Sequence, residues 1–324
     1  MKTAIITGIT GQDGSYLAQL LISRHYKVIG LVRSKNNNYF KNLNYLNLES
    51  LVELVECDLQ DLSQVLAIIS KFKPNEIYNL AAQSSVSLSF EQPIGTVQFN
   101  INSVLNLLES IRLLDKSIKF YQASSSEMYG QVAQLPITEA SIFHPVSPYA
   151  ISKVAAHHIT INYRESYGLF ACCGVLFNHE SYLRSNNFFI KKLMLGAIDI
   201  IHGKKEFIEF GNLEIKRDFG FSPNYVYAMY LMMQQEVADD FLICTGQSIS
   251  LRSIVEYVFD KLQISREKIR INQQYFRPNE IADIYGSNTK AVSILNWDFE
   301  NDFFKVIDII LDEELRNYKV HGKN

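Results

Sequence analysis

The chain has 324 residues, 47% of them hydrophobic, enough to bury one large core or two lobes. Its formal net charge of −3 provides no strong field of one sign, which argues against nucleic acid or a membrane surface as partner. No apolar run approaches a bilayer span, and Cys57, Cys172, Cys173 and Cys244 show no metal-site spacing, so a cytoplasmic protein without a metal centre is expected.

The stretch TAIIT (3–7) reads as a buried strand, and TGITGQDG follows it at the start of an apolar-periodic helix, SYLAQLLISR. Gly8, Ile9, Thr10, Gly11, Gln12, Asp13 and Gly14 therefore form a candidate phosphate cradle. Gly8 allows the tight turn, and Gly11 lets the backbone approach a pyrophosphate on the positive end of the helix. The next strand, KVIGLV (27–32), ends in Arg33, where an NAD site usually has a carboxylate. A guanidinium suits a 2′-phosphate, so NADP is favoured over NAD. The run NNN at 36–38 marks a polar loop.

Further strands are expected at LVELVE (51–56), EIYNLA (76–81), IKFYQA (118–123) and FACCGVLF (170–177). They are near-continuous apolar runs, as parallel strands covered on both faces should be. Asp58 and Leu59 at the end of the third would flank adenine, and Leu80, Ala81, Ala82, Gln83 and Ser84 after the fourth let a cofactor lie close. Between strands, Val97, Ile101, Val104, Leu105, Leu108, Ile111 and Leu114 give one apolar helix face. The alternation predicts an α/β fold, a Rossmann-type doubly wound parallel sheet over residues 1–180. Residues 181–324 are expected to form mainly a smaller α/β substrate lobe, with the chain free to cross between the two. SYLRSNN (181–187) reads as a loop and LRSIVEYVFDKL (251–262) as the clearest late helix.

The fifth strand runs into ASSSEMYG (123–130), which sets Ser125 and Glu127 at a strand end. In SPYAISK, Ser147 is a candidate helix cap, Pro148 opens the helix, and Tyr149 and Lys153 fall on one face. A free tyrosine has a pKa of about 10, so a neighbouring ammonium and an oxidised nicotinamide are expected to bring Tyr149 down toward the range of a useful base. Ser125 would hold the substrate hydroxyl. The His157–His158 pair reads as packing and surface.

With these motifs in place, the chain resembles the extended short-chain dehydrogenase/reductases and, within them, the GDP-mannose 4,6-dehydratase family. The resemblance runs over nearly the whole chain, through TGITGQDGSYLAQLL, NLAAQSSV, SFEQP, ASSSEMYG, SPYAISK, NYRESYG, LFNHES, GNLEIKRDFG, YFRPNEI and LNWDF. It implies a lyase in deoxysugar biosynthesis that converts GDP-mannose to its 4-keto-6-deoxy form and leaves its NADP unchanged overall. Tyr149 would take the 4-hydroxyl proton as hydride leaves C4. Glu127 would then remove the acidified C5 proton and protonate the departing 6-hydroxyl, before hydride returns to C6.

The same resemblance implies cofactor contacts for His179 and Arg184. It implies substrate contacts for Ser85, Asn178, Lys192, Asn212, Arg217, Arg277 and Glu280, the arginines on the diphosphate and Glu280 on the nucleotide's sugar. Departures from the family pattern fall at Ser85, where histidine is typical, at Gly95, where tyrosine is, and at Leu183, where an arginine is. Ser85 would leave room for a larger sugar such as a GDP-linked heptose. Leu183 and the single Arg33 weaken the family's tetramer contacts, leaving a homodimer or a homotetramer. Two other classes remain open on the sequence: a 4-ketoreductase or epimerase of the same scaffold, and a non-catalytic cofactor-binding protein.

Overall fold

The computed structural model describes residues 1–35, 40–300 and 302–321, so the run at 36–38 lies outside the described residues. Six strands of the first half are β1 (Thr3–Thr7), β2 (Lys27–Val32), β3 (Val52–Glu56), β4 (Glu76–Asn79), β5 (Lys119–Ser125) and β6 (Ala171–Leu176). They alternate with α1 (Gln12–Ser23), α2 (Lys41–Tyr45), α3 (Leu62–Phe72), α4 (Val86–Glu91), α5 (Pro93–Leu114) and α6 (Pro148–Tyr167). After them come β7 (Asn178–Glu180), α7 (Phe189–Ile201), β8 (Ile208–Phe210), β9 (Lys216–Phe221), α8 (Ser222–Met233) and β10 (Phe241–Ile243). The chain ends with β11 (Ser248–Ser250), α9 (Leu251–Lys261), β12 (Ile269–Ile271), β13 (Asp283–Ile284), α10 (Thr289–Leu295) and α11 (Phe303–His321).

The large sheet has the order β10–β6–β5–β4–β1–β2–β3 and is parallel throughout. Side chains alternate across it, and both faces are covered. Ile6, Tyr78 and Tyr121 pack under α1 and α8 in one apolar layer. Ile5, Ile77 and Phe120 pack under α3, α5 and α6 in the other. Strand order reverses between β1 and β4, and the crevice at their carboxyl ends is where such sheets bind ligands. Residues beyond 180 return to this sheet through β10, which pairs with β6, while α8 packs against α1.

The rest of the second half builds a smaller lobe. Its mixed sheet runs β11–β9–β13 with β7 also on β9, and β12 pairs with β8. Leu193, Phe210, Phe219, Ile254, Phe259, Phe303 and Ile307 form its own core between α7, α9 and α11.

Several boundaries differ from the sequence reading for definable reasons. The fourth strand stops at Asn79 because the Leu80 and Ala81 amides leave the sheet and donate to Thr7 Oγ1, at 3.1 and 3.0 Å. The fifth extends to Ser125, since Ser124 and Ser125 still pair with Val175 and Leu176. Among the described residues no helix is long and apolar enough to cross a membrane, and all four cysteines are free and buried.

Candidate active site

Gly8 ends β1 at a φ of +68°, and a Cβ there would lie 2.9 Å from the Ala81 amide nitrogen. Only glycine fits that turn without strain. A Cβ on Gly14 would meet the Gly8 carbonyl oxygen at 2.4 Å, so the first turn of α1 sits directly on the loop. Gly11, at the amino end of α1, is exposed and donates its amide to Gly8 O at 3.0 Å. The free amides of that helix end and its dipole fit a pyrophosphate.

Arg33 and Asp58, both exposed, line a cavity of about 260 Å³ with Gln60 and Phe99. Its position past β2 and β3 fits the adenosine end of a dinucleotide, with the guanidinium at hand for a 2′-phosphate. Leu59 differs from its neighbour: its side chain is buried in the layer with Leu31 and Val65, away from the residues that line this cavity. Leu80 to Gln83 are half-buried past β4, and Ser84 is exposed. Gln83 is held by Asn100, whose Oδ1 accepts the Gln83 amide at 2.9 Å and whose Nδ2 donates to Ser152 Oγ at 2.9 Å. Ser152 in turn donates to the Tyr149 carbonyl at 2.7 Å, which ties the β4 loop to α6.

Ser147 caps α6 by accepting the Ala150 amide at 3.1 Å, and Pro148 opens the helix. Tyr149 and Lys153 are 8% and 5% exposed on its inner face. Ser125 lies close enough to the Tyr149 phenol to act on it, and its Oγ accepts the Glu127 amide at 3.3 Å. Glu127 lies in a 3-10 turn after β5, with Oε1 3.7 Å from Arg277 Nη1. Burial pushes the Tyr149 phenol up to about 12; Glu127 adds to this, while Ser125 and Arg184 oppose it. Lys153 donates to the Ala123 carbonyl at 2.9 Å, and its Nζ is 5.8 Å from the centre of the Tyr149 ring. Burial brings its ammonium down to about 8. The protein's own groups thus raise Tyr149 rather than lower it, and Lys153 is not among those that act on it.

The smaller lobe faces this group with opposite charge. Arg217 on β9 is 4% exposed, and its Nη1 donates to the Lys216 and Ile281 carbonyls at 2.7 Å. Its buried Nη2 has no hydrogen-bond partner among the described residues. Burial lowers the Arg217 pKa, and Glu127, Arg277, Glu280 and Asp283 are all close enough to act on it. A buried guanidinium with a free donor is suited to a phosphate oxygen. Lys192 is farther out, its Nζ 4.5 Å from the centre of the Tyr275 ring. Asn212 spends its Oδ1 on the Glu214 amide at 2.9 Å. Ser85 caps α4 by accepting the Leu88 amide at 3.2 Å.

His179 is engaged within the chain through both ring nitrogens. Its Nδ1 faces the Phe177 carbonyl at 2.7 Å and its Nε2 faces Asp13 Oδ2 at 2.9 Å. Both partners are acceptors, an arrangement that favours the imidazolium form, in which both ring nitrogens donate. It stacks on Tyr225 at 4.5 Å between centroids. Burial opposes ionisation of both members, but the His179 charge holds Asp13 down at about 2, and Asp13 in turn raises His179. Asp13 also accepts from Ser222 at 2.7 Å, and Gln12 accepts from Ser181 at 2.7 Å. Asn178 precedes His179 on β7, paired with Phe219. Arg184 lies with Nε 3.5 Å from the buried Glu180 carboxylate and its guanidinium over the Phe188 ring at 3.6 Å.

Sequence reading missed the groups that brace the cradle. Asn42 donates to the Thr10 and Leu183 carbonyls at 3.2 and 3.1 Å, and Leu183 is buried with Phe40 and Leu43. Nothing local marks Asn42; only the Leu183 departure hinted that the 181–187 loop packs on its own chain. His157 is buried and His158 exposed. Cys173 and Asp240 approach His157 within 4.8 Å, partners that the sequence spacing did not reveal. Asp240 is already held by Arg164 at 2.9 and 2.7 Å, and His157 Nδ1 by Ser124 Oγ at 2.9 Å. Burial keeps Cys173 a thiol and brings His157 down to about 4, so the trio is a packed polar junction.

The overall shape is shared with solved nucleotide-sugar enzymes. A UDP-glucose 4-epimerase from Thermotoga maritima superimposes with a TM-score of 0.86 at 22% identity, covering 97% of this chain and 99% of that one. A dTDP-glucose 4,6-dehydratase from Bacillus anthracis, solved with NAD, gives a TM-score of 0.84 at 18% identity, covering 98% of each chain. Those likenesses establish the fold. Sequence goes further: a GDP-mannose 4,6 dehydratase 2 from Arabidopsis thaliana is 42% identical over 97% of this chain and 87% of its own length. The family model described as GDP-mannose 4,6 dehydratase matches residues 5–310. The chain, with its glycine cradle, its Ser125–Glu127–Tyr149–Lys153 cluster and its facing arginines, belongs to the GDP-mannose 4,6-dehydratase family.

Proposed function

We propose that the chain dehydrates GDP-mannose to GDP-4-keto-6-deoxy-mannose, with NADP held in the cradle between β1 and α1. The observation that carries this reading is the placement of Glu127, whose carboxylate lies inside the cleft between Tyr149 and Arg277. When bound, oxidised NADP supplies a hydride acceptor and a positive charge beside the phenol. Tyr149, oriented by Ser125, takes the proton of the sugar 4-hydroxyl. Its high resting pKa means that the protein's own groups hold the proton until that added charge favours the phenolate. Lys153, anchored on the Ala123 carbonyl, fixes the inner face of α6 against β5. Once C4 is a ketone, the C5 hydrogen is acidic, and Glu127 is the carboxylate placed to remove it and to protonate the leaving 6-hydroxyl. Arg217 and Arg277 hold the diphosphate, and Glu280 the ribose.

A reductase or epimerase needs Tyr149 and Lys153 but no such acid. Glu127→Gln is therefore the decisive substitution. Incubated with GDP-mannose, the native protein should release a product lighter by one water with no net reduction of NADP. The variant should still exchange C4 hydride while losing that product about a hundredfold or more. An undiminished yield would remove Glu127 from the chemistry. Ser85, its hydroxyl engaged in capping α4, presents no long side chain, which makes a GDP-linked heptose the second substrate to try. Burial of Leu183 within its own chain supports a dimer rather than a tetramer.

A further inference from the structure

Resting on the GDP-linked substrate proposed above, we propose that Glu209 is the residue that reads the base as guanine. Glu209 is the middle residue of β8, between buried Ile208 and Phe210, so strand alternation turns its side chain outward. Its carboxylate meets the Tyr275 hydroxyl and Asn272 Nδ2, each at 3.5 Å, the outer limit of a hydrogen bond. Most of its acceptor capacity is left for another partner. Tyr275 and Phe276, 51% and 42% exposed, are large aromatic surfaces beside it. Lys192 sits 4.5 Å above the Tyr275 ring and feels the Glu209 charge. Gly211 keeps this platform close to the lobe, since a Cβ there would lie 2.9 Å from the Tyr275 carbonyl oxygen.

The platform is also at the right end of the cleft. Phe276 is extended, so Tyr275 and Arg277 are roughly 7 Å apart along the chain. Arg277 reaches Glu127 at 3.7 Å. From the catalytic carboxylate outward the order is thus Glu127, Arg277, then the aromatic shelf with Lys192 and Glu209. A hexose, diphosphate, ribose and base follow the same order.

Guanine presents one acceptor, O6, next to two donors, N1–H and the 2-amino group. An ammonium beside a carboxylate complements that edge. Lys192 can donate to O6 while Glu209 accepts from both donors. Uracil has a single N–H between two carbonyls, and adenine a donor beside an acceptor, so either would set a lone pair against the carboxylate. Hypoxanthine keeps O6 and N1–H but lacks the 2-amino group, which isolates the second Glu209 bond.

The test is calorimetric titration of the NADP-loaded protein with GDP, IDP, ADP and UDP. Native protein should bind GDP about tenfold or more above IDP, as a hydrogen bond to a charged group is worth. Glu209→Ala should bring the two within about twofold, with NADP affinity and melting temperature retained. Glu209→Gln, which keeps the size but turns one acceptor into a donor, should show the same collapse and serves if the alanine variant does not fold. An unchanged GDP/IDP ratio in the variants, or no GDP preference in the native protein, overturns the assignment. GDP preference lost on substitution, without turnover of GDP-mannose, would sink the proposed activity but not this role. Turnover of GDP-mannose with the ratio unmoved would do the reverse.

Discussion

Arg33 leaves the end of β2 exposed, with Asp58 across a cavity that also touches Gln60 and Phe99. A 2′-phosphate brings about two negative charges to such a guanidinium, whereas a plain ribose brings none. Because the site is open to solvent, the contact is screened and its worth is at the low end for charge-assisted bonds. Arg33→Ala should therefore weaken NADP binding about tenfold at low salt and leave NAD binding within about twofold. Fluorescence titration with both dinucleotides reads this directly, and the NADP penalty should shrink as salt is added. Equal losses for the two cofactors would place Arg33 outside the 2′-phosphate contact.

The helix that presents Tyr149 and Lys153 depends on how it begins. Ser147 takes up the Ala150 amide and Pro148 fixes the first turn, so the two reactive side chains ride on a preformed start. Ser147→Ala should cost about 1 kcal/mol and lower the melting temperature by about 2–4 °C in a scan. Ser147→Asp should recover most of the loss, because a carboxylate caps equally well and suits the helix dipole. Recovery by Asp separates a capping role from simple packing of a small residue. This element was legible in the sequence because cap, proline, tyrosine and lysine lie within one turn or two. The same is true of β1, β2, β4, β5 and β6, whose runs are nearly continuous because helices cover both sheet faces, while the edge strand β3 keeps Glu53 and Glu56 exposed. By contrast, β7, β8, β10, β11 and β12 are three residues each, too short for any periodicity to show. That β10 would join the large sheet, and that Glu209 would stand beside Tyr275, follows from tertiary packing alone.

At the scale of the molecule, the cradle is fastened to the second half of the chain by a partly buried ion pair. Asp13 opens α1, His179 lies on β7, and Ser222, which begins α8, is 209 residues from the carboxylate it donates to. No motif could reveal so distant a partnership; the glycines marked the loop but not what braces it. The pair also gives stability a definite dependence on pH. His179 titrates above its ordinary value because the Asp13 charge outweighs burial, with Arg184 opposing and Glu180 close by. Its contribution is complete below the ordinary histidine value of about 6.5 and is lost as pH rises through the raised one. Asp13, held at about 2, behaves oppositely: its contribution is present above the ordinary carboxylate range and is lost only as pH falls toward that value. The pair is therefore strongest between about pH 4 and 6.5. His179→Asn should melt lowest relative to the native protein near pH 6, and the two melting curves should draw together as pH rises through the raised His179 value. A constant gap across that range would mean that the ring keeps one protonation state throughout, and that the clamp between cradle and lobe is no pH-dependent ion pair.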